Sequence, residues 1–310
     1  MKVLYFIQSH TNPEQITRLV QIIKKSSPQS YILLSHNFNC SPLDVEQFRS
    51  FSNIEIVDCD RSRGDFSILK GYLDAIDWLF HKQFEFDWLV NISGQDYPTQ
   101  PLPKIEKFLA ETQYDCFLEY YNMSSVKNPL SSQESRERYL YKYWRSDKLL
   151  SRWQRAVIKI PRTIINNSQS FIRINSSYGL SLGVLHLPSP FNEKFQCYTG
   201  GYYHTISYKC VQYIYDFCRK NPDLVDYYKR TCLPEESFLQ TILLNSQLFN
   251  ICNNSKRYVN WSHSRLGHPN ILDTEDYSRL IGGDFHFARK FDIQRDRQIL
   301  DLLDVWILEN

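Results

Sequence analysis

Four short segments carry residue types that can act on a hydroxyl or a phosphate. LPEES (233–237) sets Glu235 and Glu236 directly after Pro234. Proline is suited to the first turn of a helix, where unpaired N–H groups favour ionised carboxylates. A carboxylate kept ionised near neutral pH can take a proton from a hydroxyl. FARKFD puts Arg289 beside Lys290, and two adjacent cations can cradle a diphosphate as it departs. SGQDYP (93–98) follows the run DWLVNI, so Asp96 falls at the carboxyl end of a strand, where open α/β sheets bind ligands. The fourth is Asp58-Cys59-Asp60 after the strand IEIV. That spacing suits a divalent metal, but the following Arg61, Arg63 and Gly64 turn would compete with a cation.

The surrounding elements must present these residues together. Strands are expected at 3–8, 31–35, 54–57, 87–92 and 116–121, with helices at 66–80 and 103–110. Asn12-Pro13-Glu14 reads as the capped start of another helix, whose Ile16, Leu19, Val20 and Ile23 follow helical spacing. This alternation predicts an α/β fold with a mostly parallel sheet. Later come a Gly turn and strand at 200–208, a helix at 209–219 and a helix opened by Pro234. A strand at 257–261 and a helix from about 296 complete the chain. No repeat, low-complexity segment or Pro/Gly linker divides it, so one interlocked domain is expected.

The 310 residues are 42% apolar and 15% aromatic, with a net charge of +2, ample for one sizeable core. The eight cysteines are scattered without a C-x-x-C pair, which reads as reduced thiols of a cytosolic protein. The opening apolar run falls far short of the roughly 20 residues of a membrane span. A soluble or peripheral protein is the expectation. His263 and His268 lack further zinc ligands at fitting spacing, and no G-x-S-x-G elbow occurs. Residues 127–162 hold ten Lys and Arg against three acids, interleaved with Trp144, Trp153 and several tyrosines. They read as a solvated helical face with its aromatics turned inward. A patch facing phosphates, acidic lipid headgroups or an acidic glycan stays open. No nucleic-acid-binding motif accompanies the charge.

In order, YFIQSHTNPEQITRLV, RSRGDFSILKGYLDAIDWLF, DWLVNISGQDYPTQPL, TGGYYHTISYKCVQYI, LPEESFLQTIL, RYVNW and FARKFD resemble the family of core-2/I-branching β-1,6-N-acetylglucosaminyltransferases and peptide O-xylosyltransferases. Only about 122–195 lacks a match. The resemblance implies a GT-A-like, Rossmann-type sheet flanked by helices, with residues 1–121 as the nucleotide-sugar half and 122–310 as the acceptor and catalytic half. It implies an inverting, metal-independent transfer from a UDP-sugar, with N-acetylglucosamine or xylose favoured, to a soluble or lipid-linked glycan. No metal or other cofactor is expected. The family's base lands on Glu236, with Glu235 where Asp is commoner. Its diphosphate-gripping cations land on Lys290, with Arg289 or Arg265. Ser93, Gln95 and Asp96 fall near the donor sugar, with Arg63 and Ser67 beside the pocket. Gln8, His10, His36 and Asn37 fall near uridine, although Ser35-His36-Asn37 stands where animal members commonly have His-x-Asp. Glu119, Tyr202, Tyr203 and Trp261 are the expected acceptor-facing residues. The cysteine pattern, anchor and stem of the secreted animal members are missing, which fits a bacterial-type cytosolic version, peripheral to an anionic membrane through 127–162. A metal-dependent transferase using Asp58 and Asp60, and a non-catalytic nucleotide-sugar or glycan-binding protein, stay open as alternatives.

Overall fold

The structure is a computed structural model. It describes residues 1–146, 151–176, 179–262 and 268–309, apart from the side chains of Arg152 and Arg155. Arg265 lies outside the described residues.

The first strand, β1 (Val3–Ser9), is buried along its whole length. Its alternate residues serve two layers: Val3, Tyr5 and Ile7 enter one core cluster, and Leu4 and Phe6 the other. A continuous apolar run is therefore required, because helices cover both faces of the sheet. Helix α1 (Pro13–Ser26) buries Ile16, Leu19, Val20 and Ile23 as their spacing predicts. Asn12 precedes it in a left-handed conformation, φ 54°, and makes no capping bond. Strands β2 (Tyr31–His36) and β3 (Ile54–Asp58), helix α2 (Ser67–His81) and β4 (Trp88–Ser93) follow.

These four strands run parallel in the order β3-β2-β1-β4. Antiparallel Thr205–Ser207 pairs with β4, and Cys116–Phe117 and Ile251–Cys252 complete seven strands. Strand order reverses between β1 and β4, so a crevice opens at their carboxyl ends. The expected strand 116–121 is instead two short pieces, Cys116–Phe117 and Tyr121–Asn122, in different sheets. Glu119 sits between them and lines the cleft described below.

A second sheet joins three distant segments. Asp96–Pro98 pairs with Phe287–Arg289, which pairs with Arg257–Val259. Its register sets Arg289 opposite Asp96. The C-terminal helix Gln298–Glu309 buries Ile299, Leu300, Leu303 and Ile307. Each such fully buried side chain contributes about 1.5–3 kcal/mol. A third, three-stranded sheet is built from Tyr141–Arg145, Ser181–Leu185 and Ile172–Asn175, with helix Arg152–Ser168 alongside. Of the aromatics expected to turn inward, Tyr139, Tyr141 and Tyr143 are buried, whereas Trp144 and Trp153 are exposed. The inward side of this small sheet is already filled by Tyr141 and Tyr143 against Cys232 and Leu233.

Candidate active site

A cleft of about 520 Å³ occupies the crevice between β1 and β4. Gln8 and His10 reach it from the end of β1, and Ser93 and Gln95 from the end of β4. Arg63 arrives on the loop after β3, with Glu119, Tyr202, Tyr203, Glu236, Trp261, Arg289 and Lys290 closing the walls. Twelve described candidates, separated by up to 282 positions, thus share one cavity.

Four others are placed beneath or beside it. Asp96 is 1% exposed and takes hydrogen bonds from the Ser93 N–H at 2.8 Å and the Ser93 hydroxyl at 3.0 Å. Its Oδ1 lies 3.2 Å from Arg289 Nε, an ion pair lacking hydrogen-bond alignment. Burial pushes the Asp96 carboxyl up, against the pull of Arg289 and the Ser93 bonds. Asp96 therefore braces the loop and Arg289 and does not line the cleft. His36 is buried, its Nδ1 2.8 Å from the Ser9 hydroxyl and Nε2 2.7 Å from the Ser41 carbonyl. Asn37 accepts from the Asn39 and Cys40 N–H groups. Ser67 is tied up at the start of α2 with Asp65 and Ser62. These polar side chains hold turns together and do not line the cleft.

Arg289 lies over Tyr203, 4.1 Å from the ring centroid. With Asp96 behind it, the guanidinium is fixed between a carboxylate and an aromatic face. Neighbouring Lys290 is lowered by burial and by the positive charges of Arg289 and Arg63. His268, 2.8 Å from Arg63 through Nδ1, is lowered by burial, Arg63 and Lys290. Arg63, Arg289 and Lys290 thus gather positive charge on the cleft wall, with His268 beside Arg63, an arrangement suited to an anion. His268 contributes here without a zinc partner set among the described residues.

The carboxylates share this cleft, with Glu236 acting on Arg289 and Arg63 on Glu235. Pro234–Glu236 forms one 3-10 turn, broken at Ser237 from helix Phe238–Ser246. Glu235 and Glu236 therefore do not sit in an α-helical first turn as expected. Gly200 donates its N–H to the Glu236 carbonyl at 2.8 Å. A Cβ on Gly200 would stand 1.9 Å from the Glu119 carbonyl oxygen, so only glycine permits this approach. Glu236 Oε2 accepts from Arg138 Nη1 at 2.7 Å, while Arg138 Nη2 donates to Glu134 at 2.7 Å.

Glu235 has the opposite environment. It is 3% exposed, Oε2 has no hydrogen-bond partner, and burial assisted by the Glu236 charge pushes it up to about 8. Burial overrides the turn dipole, so Glu235 is protonated at neutral pH. The ion-paired Glu236 and the protonated Glu235 have been driven toward different roles. Arg138 is the chief participant missed from sequence. It lies 98 positions from Glu236, in the stretch without a recognisable motif, where only its charge marks it.

Asp58 and Asp60 do not line the cleft. Asp58 accepts from the Phe38 N–H and Asp60 from Asn37, both at 3.4 Å. Arg61 donates to the Ser9 and Ser35 carbonyls. The edge strand β3 carries them two strands away from β1.

The sequence pattern of the Core-2/I-branching enzyme family matches residues 5–281. The chain belongs to this family. It is 22% identical over 327 residues to Xylosyltransferase 2 of Canis lupus familiaris, covering 98% of this chain and 33% of that protein. Beta-glucuronosyltransferase GlcAT14B of Arabidopsis thaliana is 21% identical over 302 residues, covering 96% of this chain and 61% of that protein. The chain thus spans between a third and about three fifths of these relatives. Among solved structures, S. aureus TarS in complex with UDP-GlcNAc aligns over 52% of this chain and 47% of that one, at 20% identity and a TM-score of 0.28.

Proposed function

We propose that the protein is an inverting glycosyltransferase that moves a sugar from a UDP-sugar to a glycan hydroxyl without a metal. Family membership supports transfer chemistry. The observation that carries the reading is the presence in one cleft of the cations Arg63, Arg289 and Lys290 together with the carboxylate Glu236. In this reading Glu236 takes the acceptor proton as the acceptor oxygen attacks the anomeric carbon, and the bond to the UDP oxygen breaks. Arg138 keeps the Glu236 carboxylate oriented for that proton. Lys290 offsets charge on the departing phosphate, with Arg289 held beside it by Asp96 and Tyr203. Glu235, neutral, adds no second negative charge to the carboxylate side. Gln8, His10, Ser93 and Gln95 lie where uridine and the donor sugar would rest. Glu119, Tyr202 and Trp261 form the acceptor side, on which a soluble or lipid-linked glycan, as in polysaccharide synthesis, would lie.

The test is a panel of UDP-sugars, N-acetylglucosamine, xylose and glucuronic acid donors included, incubated with and without EDTA. UDP release with one donor in both conditions is the expected result. Release that EDTA abolishes and Mn²⁺ restores would assign a metal-dependent transferase. Donor binding with no release, even with glycan acceptors, would assign a binding protein.

A further inference from the structure

The loop after β3 borders two cavities. Arg63 lines the cleft, and the next two residues, Gly64 and Asp65, line a second cavity of about 190 Å³. Its other walls come from the small three-stranded sheet, through Tyr143, Arg145 and Ser181, and from residues 229–232 ahead of the Glu235-Glu236 turn. The cavity therefore adjoins the carboxylates, and the charges of Arg63 and Asp65 both act on Glu235. At little more than a third of the volume of the cleft, it has room for one charged group and its stem, not for a nucleotide.

Charge selects the occupant. Arg145, Lys229 and Arg230 share this lining with a single acid, Asp65. Asp65 is already engaged. Its Oδ1 accepts from the Ser67 N–H at 2.9 Å and the Ser67 hydroxyl at 2.6 Å, and Oδ2 lies 3.4 Å from Arg145 Nη1. Arg145 Nη1 also donates to the Arg63 carbonyl at 2.7 Å, which fixes the guanidinium in the wall. Lys229 pairs with Asp226 at 2.5 Å. The side chain of Arg230 is exposed and has no hydrogen bond or ion pair among the described residues. Three cations against Asp65 and Asp226 leave one positive charge in excess. Its complement is a singly charged oxyanion, and guanidinium groups match the paired oxygens of a carboxylate or a phosphodiester.

We propose that this cavity binds the acidic group of a glycan, a uronic acid carboxylate or a sugar phosphodiester, through Arg230 and Arg145. An acceptor engaged at Glu236 is then also read at a charged group away from its reacting hydroxyl, so the protein selects an acidic polymer over a neutral one. That selection rests on the transferase reading; binding of the acidic group does not.

The full chain is titrated with methyl glucuronide, with glucose joined to glycerol through a phosphodiester, and with methyl glucoside as the neutral control. Ligand-observed NMR measures binding with and without saturating UDP. At least one acidic probe should bind about tenfold more tightly than methyl glucoside in both conditions, and the preferred probe identifies the source of the anion. Arg230→Gln should remove most of that preference and Arg230→Glu should reverse it, with UDP affinity unchanged in both. Arg230 is exposed, and circular dichroism verifies that the variants fold. Equal binding of acidic and neutral probes by the wild type overturns the proposal, as does a preference that survives Arg230→Glu. Displacement of the acidic probe by UDP would assign the anion to Arg289 and Lys290 in the cleft and overturn it also. A chain that prefers an acidic probe yet releases UDP from no donor would refute the transferase reading and leave this site standing.

Discussion

Replacing Glu235 by Gln removes a titrating proton while keeping the side chain's shape. The carboxyl is buried, Oε2 lacks a partner, and its pKa stands at about 8 against an ordinary 4.5. Below about pH 4.5 it is protonated in both folded and unfolded chains, and its burial carries no charge penalty. As pH rises from about 4.5 to 8, the unfolded chain ionises while the folded one does not. Wild-type stability therefore falls across that window and levels off above it. At 1.36 kcal/mol per pH unit, the full gap amounts to about 4–5 kcal/mol, and to about 3 kcal/mol at pH 7. Gln does not titrate, so the stability of the variant relative to wild type should improve by that amount between acid and alkaline conditions. Urea unfolding of both proteins at pH 5, 7 and 9 measures the difference. A difference constant to within about 1 kcal/mol over that range would mean that Glu235 meets water or a cation in solution, and the argument from burial would fail.

Four further outcomes follow from the cleft. Glu236→Gln should lower turnover by about 10²-fold or more while leaving UDP affinity intact, as steady-state rates and calorimetry would show; near-normal rates would remove Glu236 as the base. Lys290→Ala should weaken UDP binding by about tenfold or more in the same titration, and unchanged affinity would place the diphosphate elsewhere. Asp96→Asn leaves buried Arg289 without its counter-charge and should cost about 3–5 kcal/mol in denaturant unfolding. Gly200→Ala forces Glu119 or the Glu236 turn to move, and should cost on the order of 1–3 kcal/mol; an unchanged midpoint would contradict the close approach.

Legibility from sequence divides along physical lines. The parallel half of the sheet was readable because β1, β2 and β4 are buried runs and the helices after β1 and β3 keep helical spacing. The co-location of Gln8, Ser93, Glu236 and Lys290 came from the order of motifs, not from any local pattern. Three features lay beyond reach because they depend on contacts between distant residues. Arg138 meets Glu236 only through the fold. Asp96 is consumed by Arg289 through strand register. Glu235 becomes an acid through burial, which a helix-start pattern cannot convey. The outward Trp153 shows a related limit: periodicity reveals a stripe, but not which side of the helix the protein occupies.

The small sheet that sets Arg289 against Asp96 also governs when the cleft can exist. Among the described residues, Asp96–Pro98 gains its partner strand only from Phe287–Arg289. Gln15 on α1 likewise bonds the Phe291 carbonyl and the Ile293 N–H. The N-terminal part, 1–121, is therefore stitched shut by residues made almost last. On the ribosome, the N-terminal strands would wait with one edge open and the anion site unassembled until position 293 has emerged. The cleft is then assembled late in the life of the nascent chain, and a break anywhere between 98 and 287 leaves two pieces that must find each other before it can form.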